Sequence, residues 1–201
     1  MRRVPQQARS RAMVERIVEA ARVVLVRDGY ESFTTNRVAD RAEVSPGSLY
    51  QYFPDKSALV TEVMNRWSAE ISDRVAASLA GAGPVDVQNP GTVRSIADAL
   101  LAALEIDAGL LRIVWEELPA VRHRDAQRAL ELRVRELLAV YLSAAGASAG
   151  GSAIDPAARA WVIVMAVENV AVRWVLDQPA ISREALLDEF TALAGGYAPR
   201  R

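Results

Sequence analysis

Residues 34–56, TTNRVADRAEVSPGSLYQYFPDK, constrain this chain more than any other stretch. They read as two short helices joined by a tight turn and followed at once by the start of a third. Thr34 or Thr35 is placed to cap the first, with Val38 and Ala39 on its inward face. Ser45 is placed to cap the second, with Pro46 at the first helical position, where a missing N–H costs nothing. That second helix is barely two turns long. Its apolar residues, Leu49 and Phe53, are four apart and stack on one side, which leaves Ser48, Tyr50, Gln51 and Tyr52 on the other faces. A short helix held by its neighbours and displaying hydroxyls and an amide suits insertion into a DNA major groove. In the turn, Ala42, Glu43 and Val44 predict a connection whose angle Val44 plugs, with no glycine strictly required if the backbone keeps to allowed regions. An ordinary surface hairpin would more often display Lys and Glu on its second helix.

The chain has room for such a module and a second core: 201 residues, 51% of them apolar. Cysteine is absent, which removes disulfides, thiol chemistry and cysteine-bound zinc and is compatible with a reducing, cytoplasmic compartment. The longest apolar run, residues 160–167, ends at Glu168 and is far short of the roughly 18 residues that span a bilayer, so no membrane is expected. The N-terminal arginines have no apolar segment behind them, and secretion is not indicated. Net charge is only −1, but residues 1–56 carry +3 and residues 57–201 carry −4. That asymmetry has the sign a DNA-facing end requires. Arg2, Arg3, Arg9 and Arg11 lie in or just before the first helix with no acidic residue among them, an arm suited to following phosphates or entering a minor groove.

Helical periodicity organises the rest. A first long helix is predicted from about Gln7 to Asp28, ended by Gly29, with Val14, Ile17, Val18, Ala21, Val24 and Leu25 as its inward stripe. Phe33, Val38, Ala39, Val44, Leu49 and Phe53 complete a small shared core. Asp55 begins a helix running to about residue 79 through Leu59, Val60, Val63, Met64, Trp67, Ile71 and Val75. Because it starts in the DNA-reading end and finishes far from it, it is the natural lever between the two. Lys56, the chain's only lysine, opposes the helix dipole in its first turn, a conflict that a nearby phosphate removes. Further helices are predicted at 93–108, 110–117, 119–144, 156–177 and 182–194, with a flexible connection at 146–151 and Asp155 with Pro156 as a helix start. No segment alternates as a strand would.

Residues 1–56 resemble the DNA-binding domain of the TetR family of bacterial transcriptional regulators. The matching features are the long first helix ending in Asp28, Gly29 and Tyr30; then Phe33, Thr34 and Thr35; Val38 and Ala39; Ala42 to Ser45; Gly47, Ser48, Leu49 and Tyr50; Tyr52 and Phe53; and Lys56 followed by Leu59. Glu43 departs from the family, where glycine is frequent. The resemblance implies an all-α protein: an N-terminal three-helix helix-turn-helix domain, residues 1–56, and a C-terminal helical ligand-binding and dimerisation domain, residues 57–201, linked through helix 55–79. It also implies a homodimer in which the last two long helices of each subunit form a four-helix interface. By similarity, Thr35, Ser45, Ser48, Tyr50, Gln51 and Lys56 fall on positions that contact DNA, with Tyr50 and Lys56 as phosphate contacts and Gln51 able to read an adenine edge or to bridge to a phosphate. Arg3, Arg9, Thr34, Arg37, Pro46, Gly47 and Tyr52 complete the expected DNA-binding set.

Helix 156–177 is apolar around more than one stripe, so it needs neighbours on several sides. A homodimer supplies them, with Trp161, Val164, Val172, Val175, Leu186 and Phe190 expected at the interface, and presents two reading helices to a palindromic operator. Glu168 and Asn169 interrupt the apolar helix and are the best sequence clue to a ligand cavity, although pairing of Glu168 with Arg112 or Arg173, or a place on the dimer seam, is the more ordinary reason for such a residue. Trp67, Ile71, Leu104, Leu111, Trp115, Tyr141 and Met165 are the expected walls for a mainly apolar small-molecule effector. No catalytic residue, cofactor or metal site is expected: His123 stands alone, and no phosphate-binding glycine loop or metal-ligand spacing occurs. The function expected is a sequence-specific DNA-binding regulator, a homodimeric repressor released from its operator by effector. The alternatives are a dimeric DNA-binding or architectural protein without effector, and a helical protein-interaction adaptor.

Overall fold

The computed structural model describes residues 6–81, 90–118 and 155–196. Every regular element among them is helical: α1 (Gln6–Ser32), α2 (Thr35–Arg41), α3 (Pro46–Tyr50), α4 (Lys56–Gly81), α5 (Pro90–Glu105), α6 (Ala108–Arg112) with a π-helical turn (Ile113–Glu117), α7 (Pro156–Asp177) and α8 (Arg183–Gly196). The chain forms two compact units, Met1–Trp67 with Gly109–Ala126, and Ser68–Ala108 with Gln127–Arg201. The first is larger than residues 1–56, because the start of α4 and the π-helical turn are part of the same body. Helix 119–144, the 146–151 connection and Tyr141 lie outside the described residues.

In the first unit, α1 turns at Gly29 (φ 75, ψ 167), as the sequence indicates, although the helix resumes for a short turn to Ser32. Ile17, Val18, Ala21, Val24 and Leu25 are buried along its inward stripe, while Val14 is only partly covered. α2 packs on α1, and α3 on α2. Thr34 rather than Thr35 caps α2, its Oγ1 accepting from the Arg37 N–H at 3.3 Å. α2 then ends in two bonds that close its C-terminus: Val44 N–H to the Ala39 carbonyl at 3.0 Å and Glu43 N–H to the Asp40 carbonyl at 3.2 Å. This pairing puts the donor of the shorter loop, Glu43, in the left-handed region, and it stands there at φ 54. The turn therefore uses glycine's conformation without glycine. Val44 is half-buried rather than the plug, and Ala42 takes the inside of the angle.

The second unit packs α5 against both α7 and α8. Asp155 caps α7 through the Ala157 N–H at 2.9 Å, with Pro156 next in line, and Gln178 ends the helix in a left-handed conformation (φ 46) before Pro179. Leu101, Ala171, Val172, Leu186, Leu187 and Phe190 fill the space between these helices. Arg94 of α5 reaches Glu184 and Asp188 of α8, and Arg183 of α8 returns to Asp98 at 2.7 Å and to Glu105. These bridges are solvent-accessible, so they fix alignment more than they add stability.

A left-handed conformation costs an ordinary residue roughly 1–2 kcal/mol. Replacing it by glycine returns about 0.4–1 kcal/mol to the unfolded chain. Glu43→Gly is therefore expected to leave stability unchanged or raise it by up to about 1 kcal/mol, whereas Gly29→Ala is expected to lower it by roughly 1–3 kcal/mol. Urea denaturation of both variants checks the pair; destabilisation by Glu43→Gly would mean that the Glu43 side chain has a structural role of its own.

Candidate nucleic-acid interface

Five residues make α3, too few to persist alone, so the position of its polar face depends on what holds it. Ser45 holds its start, accepting from the Ser48 N–H at 3.1 Å, and its hydroxyl also meets that of Ser48 at 2.8 Å. Leu49 is completely buried and Phe53 is 8% exposed, so one side of the helix is fixed in the core. Tyr52 and Phe53 N–H groups both donate to the Leu49 carbonyl at 3.0 Å, closing the C-terminal end. What remains outward is Ser45, Pro46, Gly47, Tyr50 and Gln51, with Ser48 and Tyr52 half-exposed. Tyr50, at 49% exposure, is a large ring left in solvent by an otherwise well-filled unit.

Several expected DNA-contact residues are already tied to one another. Tyr50 Oη and Thr35 Oγ1 lie 2.9 Å apart, joining α3 to the start of α2. Arg37 donates to Asp28 at 3.1 Å and to the Ser32 carbonyl at 3.2 Å, while Arg27 grips the same carboxylate at 2.6 and 2.9 Å. The Arg27 hydrogen bonds, reinforced by the charge of Arg37, hold the Asp28 carboxyl below its usual range. A depressed carboxyl contributes stability above its unfolded value of about 3.9 and loses it as pH falls through the folded one, so the Arg37 tether persists at neutral pH. Lys56, at the helix start, has a partner inside the protein. Its Nζ donates to the Tyr30 carbonyl at 2.6 Å and sits 4.1 Å from the centre of the Tyr30 ring. Asp55 caps that helix through the Ala58 N–H at 2.8 Å. Arg9 is exposed on α1, while Arg3 lies outside the described residues.

The residues expected around a ligand divide between the units. Trp67 and Leu111 are buried in the first, with Trp115 half-buried there. Ile71 and Leu104 are buried in the second, with Met165 and Glu168 half-exposed. Asn169 is exposed and donates to the Met165 carbonyl one turn back at 2.8 Å. Of the candidate partners for Glu168, Arg173 pairs with Asp177 at 3.6 Å and Arg112 with Glu116 at 3.9 Å. The residues expected at a subunit interface also divide. Val164, Val172, Val175, Leu186 and Phe190 are covered by the protomer's own packing, and among the six only Trp161, at 50% exposure, has appreciable surface left. Val162 and Val170, which sequence periodicity did not separate from the core face, are exposed as well. Tyr30 and Glu117 were not marked as functional by any sequence signal, yet the Tyr30 N–H donates to Glu117 at 2.7 Å. Among the described residues no helix is long and apolar enough to cross a membrane, and no group of acidic, His or Cys side chains has the makings of a metal site.

A capped, core-anchored short helix that turns hydroxyls and an amide outward defines the helix-turn-helix class of DNA-binding modules. The chain belongs to the TetR family of bacterial regulatory proteins. The family's N-terminal profile, "Bacterial regulatory proteins, tetR family", matches residues 17–63, and the profile "Tetracyclin repressor-like, C-terminal domain" matches residues 90–197, more than half of the chain. The HTH-type transcriptional repressor KstR of Mycobacterium tuberculosis is 38% identical over 71 residues, 35% of this chain and 32% of that protein. KstR of Rhodococcus jostii is 37% identical over 60 residues, 30% and 28%. The chain thus matches about a third of the length of these relatives. Whole-chain likeness comes from structures: the fatty acid degradation regulator FadR of Bacillus halodurans (TM-score 0.72, 17% identity, all of both chains) and FadR of Bacillus subtilis in complex with stearoyl-CoA (0.69, 16%, 90% of this chain and 96% of that one). At such identities the likeness is one of fold.

Gly47 supplies a test of the interface. It is exposed, and a Cβ there would meet only Ser45 Oγ, at 3.9 Å, so nothing in the fold requires glycine. Gly47→Ala is expected to stabilise the protein by about 0.5–1 kcal/mol while weakening DNA binding, because a methyl group then stands where the helix must approach DNA. Thermal unfolding and an electrophoretic mobility shift on the same preparation check both signs; unchanged or tighter DNA binding would remove Gly47 from the contact surface.

Proposed function

We propose that this DNA-binding transcriptional regulator works as a homodimeric repressor of the cytoplasm, released from a palindromic operator by a mainly apolar small molecule. The observation that carries the reading is α3: Leu49 and the Ser45 cap hold it rigidly, so that Ser48, Tyr50 and Gln51 face outward without reorganisation. Gln51 reads a base edge, and Tyr50 and Lys56 meet phosphates. Val162 and Val170 on one side of α7 and Trp161 on another leave exposed apolar side chains for a second copy, whose pairing sets two reading helices about one DNA turn, roughly 34–36 Å, apart. Supporting the repressor reading are the KstR relatives, which are repressors.

Effector acts, in this reading, on the second unit, among Ile71, Leu104, Met165 and Glu168. Helix α4 belongs to both units, the first up to Trp67 and the second from Ser68, and so is the continuous element able to carry a change between them. A hundredfold loss of operator affinity requires a coupling of about 2.7 kcal/mol, within the ordinary range.

Selection of a binding site from a random-sequence duplex pool tests the reading directly: a palindrome is expected, and failure to enrich any sequence would contradict it. On the selected duplex, Gln51→Ala is expected to relax sequence preference, whereas Lys56→Ala weakens binding on all DNA alike. Trp161→Glu is expected to shift the protein to monomer in sedimentation and to weaken operator binding; a dimer that survives both Trp161→Glu and Val170→Glu would place the interface elsewhere. Stearoyl-CoA, present in the Bacillus subtilis FadR structure, is a suitable first probe among apolar acids and thioesters.

A further inference from the structure

Lys56 is held on one side and its holder is held on the other. The ammonium group donates to the Tyr30 carbonyl at 2.6 Å and lies 4.1 Å from the centre of the Tyr30 ring and 5.9 Å from that of Phe33. Tyr30 in turn donates its N–H to Glu117 Oε2 at 2.7 Å. The two peptide units that flank the Tyr30 Cα are thus fixed separately, one by a carboxylate and one by an ammonium. We infer that Glu117 is a positioning residue for Lys56, acting through Tyr30, and that it sets how well the chain's single lysine meets a DNA phosphate. This rests on the reading of Lys56 as a phosphate contact.

The surrounding backbone is shaped for that link. Gly29, at φ 75, turns the Tyr30 N–H toward Glu117, and a Cβ at Gly29 would stand 2.9 Å from the carboxylate oxygen. Glu117 closes a π-helical turn, in which Leu118 N–H donates to the Ile113 carbonyl at 2.9 Å. Such a turn carries one residue more than an α-helical one, and one residue is worth about 100° of rotation around a helix. In an α-helical register the Glu117 side chain would leave this direction. At the other end of the link, an ammonium has three N–H donors, so the bond to Tyr30 leaves others for a phosphate. A lysine already held near its working position loses less side-chain freedom when DNA arrives. Glu117 needs no contact with DNA to have this effect.

The test uses the full chain and a duplex selected with the wild-type protein, with affinity measured across a KCl series. Lys56→Ala is expected to weaken binding and to reduce the slope of log affinity against log salt by about one. Glu117→Ala is expected to weaken binding roughly three- to tenfold and to reproduce part of that slope change. Glu117→Gln, whose amide oxygen still accepts from Tyr30, is expected to stay near wild type, and the double variant Lys56→Ala with Glu117→Ala is expected to bind no more weakly than Lys56→Ala alone. Additive losses, or a wild-type slope in Glu117→Ala, would reduce Glu117 to a structural role and overturn the proposal. Should Glu117→Ala fail to show cooperative unfolding, Glu117→Asp, which draws the carboxylate back by one methylene, takes its place in the same comparison. If Lys56→Ala itself behaves as wild type, the phosphate reading falls and the proposal with it; if Lys56→Ala behaves as expected and the Glu117 variants do not, the proposal falls alone.

Discussion

A buried leucine decides whether this protein has a reading surface at all. Helix α3 has only five residues, and a helix that short does not form by its own hydrogen bonds. Leu49, with no exposed surface, fixes it in the core, where α3 packs on α2, and the Ser45 cap and the bonds to the Leu49 carbonyl set its two ends. Everything outward on α3 is placed by those inward contacts. The arrangement separates two tasks by face: apolar burial supplies the holding energy, and the polar side is left to meet a partner.

The residues expected to meet DNA, on α3 and around it, are more tightly ordered than their composition alone would require. Thr35 with Tyr50, Ser45 with Ser48, Arg37 with Asp28 and Lys56 with Tyr30 are each joined inside the protein. Docking on DNA then exchanges or shares existing bonds, and fewer side chains must be ordered during binding. The cost of each exchange differs. A hydroxyl accepts and donates at once, so Tyr50 and Ser45 have capacity to spare, whereas Arg37 already donates to the Asp28 carboxylate and the Ser32 carbonyl.

Much of this was legible in the residues because short-range chemistry governs it. Caps at Ser45, Asp55 and Asp155 follow from side chains that accept backbone N–H groups, and the Leu49 and Phe53 spacing follows from helix geometry. Reading failed where the answer lay in long-range packing. Ala42 and Val44 are both apolar and flank Glu43, and only the path of the turn decides that the smaller one goes inside. Glu43 conceals a left-handed residue because the signal for that conformation is glycine. Periodicity marked α7 as apolar on several sides but did not say which side its own protomer covers, so Val172 and Val175 were expected at a subunit interface and are core, while Val162 and Val170 stay outside. The Glu117 to Tyr30 bond joins residues 87 apart through a π-helical turn, which leaves no local signature.

Methylation interference on a selected duplex tests the central claim most directly, since guanine N7 lies on the floor of the major groove. Helix α3 inserted there, twice in a dimer, gives two clusters of interfering guanines about one helical turn apart. Strong binding that no N7 methylation disturbs would show that α3 does not enter the major groove, however well Leu49 anchors it.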